Sequence, residues 1–239
     1  MLRAITLDYW DTIFVGAPMP ERIARRQEAL LRMLATLGSP VAADTFDALY
    51  RESGAEANRW WRDEHRGYQT ADRIRWILER LEIERPEDCE HIAEAVLHVD
   101  QALLDYPPPL LPGAVEALRS LSERFALAIV SDTGFASGRA QDALLEREGI
   151  RDFFTATIYS MDIGHAKPRP EIFHAALDAL GCDAADALHV GDNERTDVAG
   201  ALAIGMRAVR IDALRDSGQT QGEQVVTSLE GLKVYLLAQ

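Results

Sequence analysis

From about Leu110 onward, apolar and polar positions along the chain switch between two periods. Short β-prone apolar runs stand at "FALAIVS", "TATIYS", "ALHVGD" and "RAVRID". Beside them lie segments such as "RPEIFHAALDALG" and "DVAGALAIGM", whose apolar residues recur at helical spacing. Strands alternating with helices predict a parallel sheet covered by helices on both faces, a Rossmann-like α/β core. The opening run, residues 4 to 8, has the same composition and is expected to join that sheet. The intervening stretch has another texture, with no convincing strand. Leu30, Met33, Leu34 and Leu37 keep helical spacing, as do Ile74, Ile77, Leu78 and Leu81, and a further helix is expected to carry Ile92, Val96, Val99 and Leu103. The pattern therefore predicts an α/β core of residues 1–15 and 108–239, interrupted after its first strand by an all-helical domain of residues 16–107. The chain leaves the core at "VGAPMP" and returns at "YPPPLLPG", both turn-prone, so paired connections would form a hinge.

The strand ends carry the candidate chemistry. In open α/β sheets, ligands bind beyond the carboxyl ends of the strands. Asp8, Asp11 and Thr12 follow the first strand, and Ser131 and Asp132 end another. Asp192 ends a third, Asp197 opens the next helix, and Lys167 lies in "GHAKPRPEIF". Each alone could be a cap or a solvated residue; together at one end of a sheet they suit one task. Oxygen ligands such as Asp8 and Asp192 would hold a hard cation like Mg²⁺. Ser131 and Lys167 would neutralise the other side of a phosphoryl group, and an aspartate facing that group can attack it.

Composition narrows the setting. Hydrophobic content of 47% over 239 residues is that of a globular protein with ample core. The net charge of −14 argues against a nucleic-acid partner, and no apolar run approaches a membrane span. Cys89 and Cys182 stand far apart in no metal-ligand spacing, which with the absence of a secretion-type leader makes a reducing cytoplasm the expected location. Lys167 and Lys233 are the only lysines, so the survivor in "GHAKPRPEIF" suggests a need for a compact ammonium.

Four motifs in order carry a resemblance to the haloacid dehalogenase superfamily: "TLDYWDT", "IVSDTG", "GHAKPRPEIF" and "VGDNERTDVAGALAIGM". The resemblance covers nearly the whole chain and implies a helical cap inserted after the first motif. It implies Asp8 as nucleophile, Ser131 as phosphoryl hydrogen-bond donor, Lys167 as charge anchor and Asp192 as Mg²⁺ ligand. Asp197 would support the metal shell or Lys167, and the backbone carbonyl of Trp10 would also reach the metal. Trp10, Thr12 and Asp132 are expected beside the substrate.

One position departs from the family's phosphatases. They usually carry a second aspartate two residues after the nucleophile, as general acid and base; here that position is Trp10, and the nearby acid is Asp11. General acid–base help contributes roughly 10² to 10⁴ in rate. The first reading is a Mg²⁺-dependent phosphatase acting on a small phosphorylated metabolite through an aspartyl-phosphate, with Asp11 as surrogate. The second is a 2-haloacid dehalogenase, which resembles this chain in having an aromatic residue at that position but uses no metal. Asp192 would there repel a carboxylate substrate. The third is a protein that binds phosphorylated ligands without turnover. A phosphonoacetaldehyde hydrolase needs a cap lysine, and residues 1 to 166 contain none. In the insert, "NRWWRDEHRGY" reads either as a face closing over Asp8, its arginines meeting an anion, or as a helix with core tryptophans and solvated arginines. A monomer or homodimer is expected.

Overall fold

A computed structural model describes residues 1–84 and 90–238, so Cys89 lies outside the described residues. Six strands form one parallel sheet: β1 (Ala4–Leu7), β2 (Ala126–Ser131), β3 (Ala156–Tyr159), β4 (Ala187–Gly191), β5 (Arg207–Ile211) and β6 (Gln224–Val226). Their spatial order is β3-β2-β1-β4-β5-β6. The order reverses between β1 and β4, which creates the switch point where such sheets bind ligands. Strands buried on both faces need apolar residues throughout, and β1 and β4 are buried at every position.

Helices α1 (Pro20–Thr36), α2 (Ala43–Arg62), α3 (Thr70–Arg80) and α4 (Glu90–Asp105) separate β1 from the rest. The core adds α5 (Ala114–Ser122), α6 (Gly138–Arg147), α7 (Ser160–Ile163), α8 (Pro170–Leu180), α9 (Ala199–Ala203) and α10 (Leu229–Leu237). Leu118, Leu144 and Leu232, from α5, α6 and α10, pack on one sheet face with Ile5, Leu7 and Ile129. Ile172, Phe173 and Ala201, from α8 and α9, cover the other with Val130 and Ala208. The first four helices build their own apolar cluster around Leu30, Leu34, Phe46, Ile74, Ile77 and Val99. Phe135, from the loop after β2, is buried in that same cluster and ties it to the sheet.

The two connections lie side by side. Val15 donates its backbone N–H to Pro109 O at 2.9 Å, Leu111 donates to Ile13 O at 2.8 Å, and Phe14 and Leu110 form an antiparallel bridge. A second seam lies on the far side, where the link between α2 and α3 meets the core. Gly67 N donates to Gly164 O, Ala166 N to His65 O, and Gln69 Nε2 to Met161 O. No helix among the described residues is long and apolar enough to cross a membrane.

Candidate active site

The ends of β1 and β4 at the switch point supply the first two carboxylates. Asp8 N donates to Val190 O at 2.8 Å, which continues the ladder one residue past β1 and aims Asp8 beyond the sheet. Asp192 follows Gly191 at the end of β4. The chain then turns through Asn193, whose side-chain oxygen accepts from the N–H groups of Arg195 and Thr196, into a π-helical turn over Glu194–Val198. That turn folds Asp197 back over β4, and a methyl at Gly191 would overlap the Asp197 carboxylate, so only glycine fits there. Carboxylate oxygens of Asp8, Asp192 and Asp197 lie within 4.8 Å of one another.

Lys167 knits this cluster. Its ammonium donates to Asp8 Oδ1 at 2.6 Å, Asp197 Oδ1 at 2.7 Å and Val130 O at 2.9 Å, so all three donors are used. The side chain is 2% exposed. Burial pulls the Lys167 ammonium down, but Asp197, Asp8 and Asp132 outweigh it and hold it well above the usual lysine range. Asp197 is fully enclosed; burial pushes it up, yet Lys167 and His189 keep it well below the usual carboxylate range. His189 is held by Thr6 at 2.7 Å through Nδ1 and meets Asp197 Oδ1 at 3.2 Å through Nε2. Because Lys167 is shared, Asp8 is not fully compensated: burial raises its pKa, with Asp197 and Asp192 adding repulsion. Burial likewise lifts Asp192 to about 6, with Asp197 adding repulsion and Arg215, at 2.5 Å, partly relieving it.

Three carboxylates around one buried ammonium, with the exposed Arg215 reaching Asp192 alone, leave the cluster short of positive charge. An all-oxygen donor set with that deficit fits a hard divalent cation. Asp8 and Asp192 would be the residues to hold one, since Asp197 spends Oδ1 on Lys167 and His189 and Oδ2 on Asn193 N.

The cleft above this cluster has a volume of about 350 Å³, and Trp10, Asp11, Asn58, Trp61 and Thr133 are among its walls. Trp10 packs edge-on against Tyr9 and faces the cleft. Asp11 holds a left-handed backbone, φ +54°, at a turn where Gly16 N donates to its Oδ1 at 2.7 Å. Short polar side chains tolerate that conformation better than most.

Three sequence expectations meet different surroundings. Ser131 is fully buried, donates its hydroxyl to Gln141 Oε1 at 3.1 Å and does not line the cleft, because the strand turns it toward α6. Thr12 is fully buried with a hydroxyl that meets no partner among the described residues. Asp132 does reach the cleft, but Trp61 Nε1 donates to one carboxylate oxygen and Lys167 N to the other, both at 2.9 Å. It thus joins α2 to the lysine loop rather than offering free oxygens to a ligand. Burial raises its pKa against the pull of Lys167.

The "NRWWRDEHRGY" segment divides between its two readings. Trp60 and Tyr68 are buried together, while Trp61 hangs over the cleft. Arg59 is exposed and paired with Glu56 and Glu64, and Arg66 with Asp72. Its arginines therefore face solvent. Arg215 and His189 escaped the sequence reading altogether; a histidine inside the apolar run "ALHVGD" was the available signal for the second.

The model of the haloacid dehalogenase-like hydrolases matches residues 2–205. The chain belongs to that family. Among curated members it is 28% identical over 225 residues to a ribulose-1,5-bisphosphate 5-phosphatase of Halopiger xanaduensis, covering 92% of this chain and 89% of that one. It is 35% identical over 104 residues to a pyrimidine 5'-nucleotidase of Escherichia coli, a match spanning 43% of this chain and only 45% of that protein's length. The fold of a 2-haloacid dehalogenase from Pseudomonas syringae superposes over 100% of this chain and 99% of that one, with a TM-score of 0.71 at 24% identity. This haloacid dehalogenase-like hydrolase thus shares its architecture with members that differ in chemistry, and the side chains must decide between them.

Proposed function

We propose that this protein is a Mg²⁺-dependent phosphohydrolase that cleaves small phosphate monoesters through an aspartyl-phosphate on Asp8. The observation that carries this reading is the surplus of carboxylates, Asp8, Asp192 and Asp197, over the buried Lys167 and the exposed Arg215. A dehalogenase has no use for Asp192 there, and that carboxylate, only partly relieved by the exposed Arg215, would repel a haloacid's own. The metal would supply charge neutralisation for the bound phosphoryl oxygens.

The Lys167 ammonium holds Asp8 by Oδ1, which leaves the other oxygen to attack phosphorus in line with the leaving alkoxide. Asp11 would give that alkoxide its proton and then take one from the water that attacks the acyl phosphate. It is the cleft acid whose carboxylate is least committed, with one bond from Gly16 N. Residues 16–107 would act as a cap, hinged at the paired connectors and closed when Trp61 reaches Asp132.

Phosphate esters and 2-chloropropionate assayed side by side, each with Mg²⁺ or EDTA, test this. Phosphate release that EDTA stops and Asp8→Asn abolishes is expected; halide release indifferent to EDTA would select the dehalogenase instead.

A further inference from the structure

A second cavity of about 460 Å³ adjoins the cleft on the cap side and shares Trp10, Asn58, Tyr68 and Asp132 with it. Three guanidinium groups line it: Arg22 and Arg26 from α1 and Arg73 from α3. Arg22 is 7% and Arg73 8% exposed. None of the three meets a carboxylate among the described residues. Arg22 donates to Tyr106 O at 3.0 Å and to Met19 Sδ. Arg73 donates to Ser53 Oγ and Tyr50 O, both at 3.0 Å, and lies over the Tyr50 and Phe135 rings. Arg26 stacks on Phe135, and its buried Nε has no partner among the described residues.

Charge makes this arrangement unusual. Buried charges are normally paired, because desolvation costs more than neutral hydrogen bonds return. The one acid lining the cavity is Asp132, already committed to Trp61 and Lys167. Asp100 attracts Arg26 weakly, and its oxygens are taken by Ser137. Burial, with repulsion from Arg22 and Arg73, pulls Arg26 down to about 10. A protein with net charge −14 has acids to spare, yet none among the described residues forms an ion pair with these three arginines. Aromatic faces and forked donors together suit a planar or tetrahedral oxyanion.

We infer that this cavity is a subsite for a second anionic group of the substrate, a carboxylate or phosphate carried on the part of the molecule that leaves. The inference rests on the phosphohydrolase reading for the first group and adds the chemical class of the second: the preferred substrates are phosphomonoesters with an acidic tail. Arg26 is the residue with most donors unspent, so it grips the tail, with Arg22 and Arg73 beside it.

The test uses non-hydrolysable probes, so that binding is read separately from turnover. With the full chain and Mg²⁺, calorimetry would compare alkylphosphonates with ω-carboxyalkylphosphonates and α,ω-bisphosphonates of matched length. One chain length is expected to bind about 10- to 100-fold tighter for its acidic tail, with the carboxylate and phosphonate arms deciding which oxyanion is preferred. In Arg26→Met that advantage is expected to fall below about threefold, while the free variant melts no lower than the parent, since a half-buried charge with an unpaired Nε is removed. Equal affinity of tailed and untailed probes in the parent chain, at every length, overturns the subsite whatever the variant does. So does a variant that melts lower and keeps the advantage, which would make Arg26 a structural residue. A tail advantage in a protein that hydrolyses no ester would instead sink the phosphohydrolase reading and leave the subsite standing.

Discussion

Asp197 takes three contacts, and its carboxylate fixes the Lys167 ammonium that also holds Asp8. Lys167 donates to Oδ1, His189 meets the same oxygen, and Asn193 N donates to Oδ2; Gly191 leaves the room for it. An amide at this position would turn an NH₂ group toward at least one of these donors and leave Lys167 short of a countercharge. Breaking a buried pair in this way costs about 3–5 kcal/mol. For a chain of this size Asp197→Asn should therefore melt lower by about 10 °C, with activity lost as Lys167 shifts. A variant that melts with the parent would show that Asp197 is not the keystone. Asp11 makes a contrasting case, because asparagine tolerates its left-handed backbone and can still accept from Gly16 N. Asp11→Asn should leave the melting temperature within a few degrees and slow breakdown of the aspartyl-phosphate about 10²-fold in single-turnover assays. Unchanged rates would hand the acid–base role to another group.

At the scale of elements, the link between α2 and α3 forms the second seam between residues 16–107 and the sheet. A methyl on Gly67 would overlap the Ser160 carbonyl, where the backbone runs against α7. Gly67→Ala is thus expected to lift this seam while sparing the connectors at Val15 and Leu111. The Trp61–Asp132 contact should loosen with it, so KM should rise and proteolysis of the α2–α3 link quicken, with the melting of the core little changed. An unaltered KM and proteolytic pattern would mean the seam does not govern closure. The five strands with clear apolar runs, and three of the four insert helices, were legible from periodicity. β6 was not, because three residues on the sheet edge beside "SGQTQGE" carry no pattern that separates them from a loop. The carboxylates and Lys167 were legible because strand ends announce them. The arginines of the second cavity were not, since on a helix a buried guanidinium and a solvated one are written with the same letter. Nor could sequence show that Ser131 faces α6 while Trp61 crosses to the core, for both facts depend on how two layers pack.

Across the whole molecule negative charge is in surplus, and three of its carboxylates crowd together at the switch point. That surplus of buried carboxylates raises the free energy of the folded state, because unfolding would return them to water. Arg215 offsets part of this by reaching Asp192, but its side chain is 59% exposed and can contribute little. A divalent cation that binds only the folded chain should then stabilise it by mass action. At a concentration about 100 times its dissociation constant the gain is about 2.7 kcal/mol. For 239 residues that corresponds to a rise of roughly 5–10 °C in melting temperature between EDTA and Mg²⁺. Asp192→Asn removes one prospective ligand and part of the charge surplus, so its melting temperature in EDTA should equal or exceed the parent's while its response to Mg²⁺ shrinks. If the parent melted identically in EDTA and in millimolar Mg²⁺, the cluster would hold no such ion, and the charge argument for phosphoryl chemistry at Asp8 would fall with it.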